Sequence, residues 1–280
     1  MSSRRVHLTA VAATIAALAT AASLFAAGPA PVVLQGQPGI AVAGGAHVVA
    51  GVRRNAGTTQ VSLVRDRDAK VLSTRELRGR LGVPTITFAG LVEGTWANGR
   101  RLVLASSMYD DAAATTFVVL DTRTLAPLRT IRLRGAFAFD AVSPDGRRLY
   151  LLHYPQGVNG GIRYVVRSVS LRTGTLEPGA IVDKTEPNER MNGIALARAW
   201  SRDRTWAYTL YNGGTSHAFV HALNTRARVA RCIDLPWSGD AQSILDGARL
   251  AMEAKGTLAL TNPGGSVLAR IDTRTFSVTS

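Results

Sequence analysis

The chain has 280 residues, 33 Lys+Arg against 19 Asp+Glu for a formal net charge of +14, 46% hydrophobic residues and one cysteine. This excludes a disulfide-stapled scaffold and a low-complexity disordered chain, and leaves enough apolar residues for one large or two ordinary domains. Lys stands only at positions 70, 184 and 255, and arginines are spread singly or in pairs along the chain; no localised basic stripe is evident, so specific nucleic-acid binding is not expected, while adsorption to anionic wall polymer or lipid at low salt is.

Met1 to Arg5 is short and basic, and Leu8 to Ala27 is an unbroken run of apolar and small residues with only Thr and Ser as polar members. This is the layout of a secretory signal, so a secreted protein or one on the extracytoplasmic face of the envelope is expected. Some twenty apolar residues could also remain as an uncleaved anchor, the one membrane attachment foreseen; the low hydrophobicity of an Ala/Thr-rich run favours cleavage. Ser3-Arg4-Arg5-Val6-His7-Leu8 resembles a twin-arginine motif, and an ordinary basic leader reads equally well. The expected organisation is a signal over 1–27, a linker over 28–37 and one domain over 38–280.

Beyond the leader the chain repeats itself. Gly44-Gly45-Ala46-His47 opens a weak first copy, followed by a strand over Val61 to Asp66. Asn98-Gly99-Arg100-Arg101-Leu102 begins a second, with strands Phe117 to Asp121 and Leu128 to Leu133 behind it. Ser143-Pro144-Asp145-Gly146 begins a third, with strands to Leu152, from Tyr164 and over Ala180 to Val182. Ser201-Arg202-Asp203-Arg204 begins a fourth, followed by Phe219 to Asn224 and Val229 to Leu235, the last holding Cys232 as a buried strand residue. Near the C-terminus Asp246-Gly247 and Lys255-Gly256 compete for one corner, and Val267 to Asp272 closes the series. Asp-Gly and Asn-Gly suit a tight hairpin with φ > 0, and a strand ending in Asx-Thr meets a turn whose amides the Asx side chain accepts.

Corners recur near the length of a four-stranded propeller blade, and no apolar pattern of helical period persists after Ala27. The expected fold is all-β, a β-propeller of four-stranded antiparallel blades, with five blades; six would require the two C-terminal corners to belong to different blades.

Ser143-Pro144-Asp145-Gly146-Arg147-Arg148-Leu149-Tyr150 and the Val119-Leu120-Asp121-Thr122 strand resemble the YVTN family of bacterial β-propellers. The stretch from Phe139 to Leu235 is also similar to WD40-like exported propellers of actinobacteria. The resemblance implies a propeller outside the cytoplasm and no particular reaction, because such repeats serve enzymes, electron-transfer subunits and binding modules alike.

The search for chemistry returns little. His217 and His221 lie four apart, which on a strand is ~13 Å, too far to share an ion, so they are read as surface or strand-edge residues. No nucleophile elbow, phosphate loop or zinc motif follows the leader, and no catalytic residue, metal site or cofactor is expected. Trp96, Trp200, Trp206 and Trp237 are read as packing between blades. Connectivity gathers the long loops on one rim, bringing together Tyr109, Asp110, Asp111, Tyr154, Asn159, Glu186, Glu189 and Arg190 as a ligand-binding candidate. The reading is an exported binding or scaffold propeller that engages an envelope protein or peptide, or an anionic wall polymer, through this rim. The alternative is a propeller enzyme, hydrolase- or lactonase-like or related to quinone-dependent dehydrogenases, with a central-channel site, for which the inner strands offer Asp140 and little else.

Overall fold

Among the described residues, nineteen strands fall into five antiparallel sheets that follow one another in chain order. The computed structural model describes residues 39–109, 113–155, 163–186, 191–213, 217–237 and 242–280, so the expected leader and linker lie outside it. Sheet 1 is β1 (Ile40–Val42), β2 (Ala46–Arg53), β3 (Thr58–Arg65) and β4 (Val71–Arg78); sheet 2 is β5 (Leu81–Gly82), β6 (Arg101–Ser106), β7 (Ala114–Asp121) and β8 (Pro127–Arg134). Sheet 3 has β9 (Ala136–Val142), β10 (Arg148–Tyr154) and β11 (Val165–Ser170), and its fourth edge is reduced to the single bridges Val166–Ile181 and Val169–Leu176. Sheet 4 is β12 (Ala195–Trp200), β13 (Trp206–Tyr211), β14 (Phe219–Asn224) and β15 (Val229–Asp234). A one-turn helix, α1 (Gln242–Leu245), leads into sheet 5: β16 (Arg249–Met252), β17 (Thr257–Thr261), β18 (Val267–Asp272) and β19 (Val278–Thr279). These up-and-down meanders fit the blades of a propeller. Among the described residues no helix is long and apolar enough to cross a membrane.

The repeated signatures of the sequence each have a physical job. The Ser143 hydroxyl accepts the amides of Arg147 and Arg148 at 3.1 and 2.9 Å and donates to Asp145 at 2.6 Å, while Gly146 turns the chain at φ +66°. Ser201 and Asp203 repeat the arrangement in sheet 4. The corner is therefore the longer connection 143–147 between β9 and β10, not the two-residue hairpin that Asp-Gly alone suggests. At the far end of the third strand Asp121, Asn224 and Asp272 accept the next amides. The adjoining Thr122, Thr225 and Thr273 donate to the carbonyls of Gly99, Thr205 and Gly256, which lie at the first corner of the same sheet. Asx-Thr thus knots the meanders of sheets 2, 4 and 5 to their own beginnings.

Lys255-Gly256 forms the corner between β16 and β17, whereas Asp246-Gly247 only leads from α1 into β16. Both candidates belong to sheet 5, which removes the basis for a sixth.

Each of four buried clusters joins consecutive sheets: Val48 and Leu63 meet Leu102 and Leu120, Phe117 and Val119 meet Phe139 and Leu151, Tyr150 and Tyr164 meet Ala207 and Leu223, and Tyr208 and Val220 meet Leu258 and Ile271. Strands buried on both faces need near-continuous apolar runs, and β7, β13 and β14 have them. Sheet 1 differs. Its β2 and β3 alternate buried and half-exposed positions, and the outward face carries His47–Asp66 at 2.7 Å and Arg53–Glu76 at 3.1 Å. Sheet 5 likewise turns outward the exposed Arg249 and the Arg270–Glu253 pair at 3.2 Å. None of the four clusters joins sheet 5 to sheet 1.

Candidate functional site

The first strand of sheet 2 is interrupted, and the interruption builds the site. After Leu81 and Gly82 pair with Ser106 and Ala105, Pro84, which has no N–H for the ladder, takes the chain away from the sheet. It doubles back as a small hairpin, with Thr85 bridged to Val92, the Ile86 amide donating to Leu91, and Gly90 at φ +88° closing the turn. Thr95 then rejoins Leu102. The tip of this hairpin reaches sheet 4 directly, where the Phe88 amide donates to the Ala195 carbonyl at 2.8 Å.

At its base Glu93 accepts the Trp200 indole N–H at 2.8 Å and lies 3.5 Å from Nη1 of Arg198. Arg198 also donates to the carbonyl of Asp140 at 2.8 Å and pairs with its carboxylate. The Arg198 and Asp140 side chains are 1% and 3% exposed, so β12 ties sheets 2, 3 and 4 together through one dehydrated charge. Burial opposes that charge, but Asp140 and Glu93 raise the Arg198 pKa further above its ordinary value.

Two hollows open beside this clamp. The larger, about 430 Å³, is aliphatic and aromatic, lined by Val52, Leu81, Val83 and Phe137 among others. The smaller, about 280 Å³, is walled by Tyr154, Tyr164, Tyr211, Ile86 and Ile194. Thr85, Met108, Tyr109, Ala138 and Phe139 line both, making a single cleft with two ends. Phe88 is 78% and Tyr109 72% exposed, and Ile194 is exposed beside them, an apolar rim of the kind that marks an interaction site. Burial raises the Tyr154 and Tyr211 phenols well above their ordinary range, so both remain protonated donors at neutral pH. No carboxylate, imidazole or thiol is among the described lining residues. The cleft can hold apolar and aromatic groups and offer them phenol and hydroxyl hydrogen bonds; among its described lining residues no nucleophile is paired with a base.

The residues expected at the rim divide. Tyr109 and Tyr154 come together in the smaller hollow, and Glu186 is exposed on the far side of Tyr164, near Asp183 and His221. Asp110, Asp111, Asn159, Glu189 and Arg190 lie outside the described residues. His217 is exposed as read, but His221 is not a surface residue: it is 2% exposed on β14, the third strand of a sheet buried on both faces. Cys232 is half-buried on β15. The inner strands hold more than Asp140, since β12 adds Arg198, which meets both Asp140 and Glu93. An arginine inside Ala195-Leu196-Ala197-Arg198-Ala199-Trp200 is the signal that could have found the clamp, because a charge within an otherwise apolar strand needs a partner.

Burial, reinforced by Arg198, lowers the His221 pKa to about 4. A depressed imidazole pKa means that the unfolded chain binds the proton more tightly, so stability is lost as pH falls from about 6.5 towards 4. The expected loss attributable to this group at pH 4 is on the order of 2–3 kcal/mol. Urea midpoints of wild type and His221→Gln from pH 7 to 4 measure it: the variant should lack this part of the acid dependence, and parallel curves would remove the assignment.

No protein-family model and no curated protein matches the chain. Solved structures similar to it include a prolyl endopeptidase, at 13% identity over 86% of this chain and 35% of that one, with a TM-score of 0.50. A β-propeller domain of Cps50 (Swd1) from Myceliophteria thermophila is similar at 10% identity over 84% of this chain and 67% of that one, TM-score 0.45. TolB from Acinetobacter baumannii is similar at 16% identity over 83% and 51%, TM-score 0.39. The chain thus spans about a third of the endopeptidase and half of TolB, and these are likenesses of fold alone.

Proposed function

We propose that the protein is an exported β-propeller-type module that binds a protein or peptide of the cell envelope in the cleft behind Tyr109. The single observation that carries this reading is the cleft itself: two joined hollows with a tyrosine wall and exposed Tyr109 and Ile194 at its edge, next to which exposed Phe88 is held by its bond to Ala195. Tyrosine and phenylalanine supply large contact area at small entropic cost, which is why such residues anchor interfaces. Export is supported by the basic Met1–Arg5 followed by the apolar run to Ala27. The acidic loop residues Asp110, Asp111, Glu186 and Glu189 would add steering to a protein otherwise strongly basic, acting on association rate more than on affinity.

A channel enzyme has less support. Its site would need convergent groups open to a substrate, whereas Asp140, the inner-strand carboxylate, is 3% exposed and committed to Arg198.

Capture of envelope proteins by wild type and by Phe88→Ala/Tyr109→Ala tests the reading. The double variant should retain its denaturation midpoint, since both side chains are exposed, and lose capture at least tenfold, the order expected for truncating two aromatic anchors. Equal capture of the same partners would overturn it.

A further inference from the structure

The inner edge of sheet 3 is β9, and its bonds fix which of its main-chain groups face away from the sheet. The Phe137 amide donates to the Thr115 hydroxyl of sheet 2 at 3.0 Å, so it is turned away from His153, the residue opposite on β10. Bonded and non-bonded pairs alternate along an antiparallel ladder, which makes Ala138–Leu152 a bonded pair and Phe139–Leu151 a second non-bonded one. From the other end, the Ser143 amide donates to the Arg148 carbonyl, so Ala141–Tyr150 is bonded. Asp140 is the extra residue of the bulge that follows, its carbonyl turned out to Arg198. Phe139 therefore points both its N–H and its C=O, and Phe137 its C=O, away from β10 on the side of the cleft that both residues line. Among the described residues no loop or turn backbone takes these groups up. Phe139 is 5% exposed, and main-chain groups so placed call for a partner. One sheet away the inner edge has such a partner, since the Phe88 amide of the crossing hairpin donates to Ala195 of β12.

We propose that the ligand of the cleft is the free C-terminal end of a peptide, added to the inner edge of β9 as one more antiparallel strand; this ligand class rests on the reading of the cleft as a peptide site. A peptide residue opposite Phe139 exchanges two main-chain bonds with it, and the residue two further on donates to the Phe137 carbonyl. There the ladder stops, because the Phe137 amide is held by Thr115. Phe137 lines the larger hollow and Phe139 both, so an antiparallel peptide enters by the tyrosine hollow and ends in the aliphatic one. Arg80 is the charged residue of the described lining at that end, and its five guanidinium donors suit a terminal carboxylate. An anionic chain end also complements a protein of net charge +14. Side chains two residues apart on a strand stand ~7 Å apart on one face. The third residue from the end is then an aromatic one against the wall of Tyr154 and Tyr164, and the last an aliphatic one between Val52, Leu81 and Val83.

The test uses the full chain as recovered from the producing cell and, as probe, a pool of dye-labelled hexapeptides ending in Tyr-Xaa-Leu with a free carboxylate, followed by fluorescence anisotropy. The same pool as C-terminal amide should bind weaker by roughly tenfold or more, the order for losing one charge-assisted bond. Methylation of the tyrosine nitrogen, which removes the donor to the Phe139 carbonyl, should weaken binding severalfold, whereas methylation of the middle nitrogen, which points away from β9, should be tolerated. Arg80→Gln should abolish the preference for acid over amide and keep the difference between the two methylated pools. No binding of the acid pool, equal binding of acid and amide, or equal effects of the two methylations would overturn the proposal, and none of these comparisons depends on a variant that must fold. If Phe88→Ala/Tyr109→Ala abolishes envelope capture while acid and amide pools bind alike, the cleft is a binding site and the C-terminal mode falls; if the acid pool is preferred and envelope capture is unaltered in that double variant, the mode stands and the envelope partner falls.

Discussion

Replacing Arg198 by alanine is expected to destabilise the fold by about 3–5 kcal/mol, the range for removing one member of a buried ion pair and leaving the others uncompensated. Its guanidinium lies against both Asp140 and Glu93, and its side chain is 1% exposed. Without it Asp140 remains 3% exposed with a carboxylate that the interior cannot solvate. The cost should fall well below that of the single variant when Asp140→Asn is added, because the stranded charge is then gone. Urea denaturation of the two single variants and the double variant forms a cycle whose coupling energy measures the pair. A loss under 1 kcal/mol for Arg198→Ala would show the site to be wet and the clamp to be weak.

The second large effect belongs to Gly146. Its φ of +66° is strained for any β-branched residue, at about 1–3 kcal/mol. A Cβ there would also stand 2.2 Å from Nε1 of Trp96, whose indole comes from the neighbouring sheet and is 7% exposed. Displacing a packed indole adds about 1–3 kcal/mol of overpacking, so Gly146→Val should cost about 2–6 kcal/mol in all. The equivalent corner in sheet 4 explains why glycine is not obligatory everywhere. Arg204 takes φ +60° there, and its guanidinium lies 4.3 Å from the centre of the Trp200 ring, a cation–π contact that offsets part of the strain. Gly146→Ala carries both the positive-φ strain and the Cβ clash with Trp96, so the difference between the alanine and valine variants isolates the cost of the branched side chain. A Gly146→Val variant with an unchanged midpoint would remove both the turn and the Trp96 contact from the account.

The sheets were legible because their signals are local. Ser143 and Asp145 bond within their own corner, and Asp121 accepts the amides of Arg123 and Thr124 in its own turn, so these signatures fall within a window of a few residues. The ambiguity between five and six sheets had a local cause too: Gly247 and Gly256 both take positive φ, but only the second joins two paired strands. The site was legible in part. Loop connectivity brings Tyr109 and Tyr154 together, whereas Tyr164 and Tyr211 meet only because sheets 3 and 4 pack face to face, with ring centres 5.6 Å apart. Glu93 and Arg198 are 105 residues apart in sequence, and nothing in the local pattern of either names the other. His221 was misplaced for the opposite reason: a histidine beside Val220 and Ala222 reads as an edge residue until sheets on both sides bury it.

The outward polar faces of sheets 1 and 5 have a bearing on how the molecule comes apart. Arrays whose units touch only their neighbours melt as a chain of nearest-neighbour couplings, with the end units, held on one side, opening first. Here the crossing hairpin adds a coupling of longer range, because Glu93 and Phe88 of sheet 2 hold sheet 4 without passing through sheet 3. The middle three sheets therefore form one cooperative unit with two terminal sheets that can fray independently. Binding in the cleft, whose walls come from sheets 1 to 4, would extend that unit to sheet 1 and leave sheet 5 as the single fraying end.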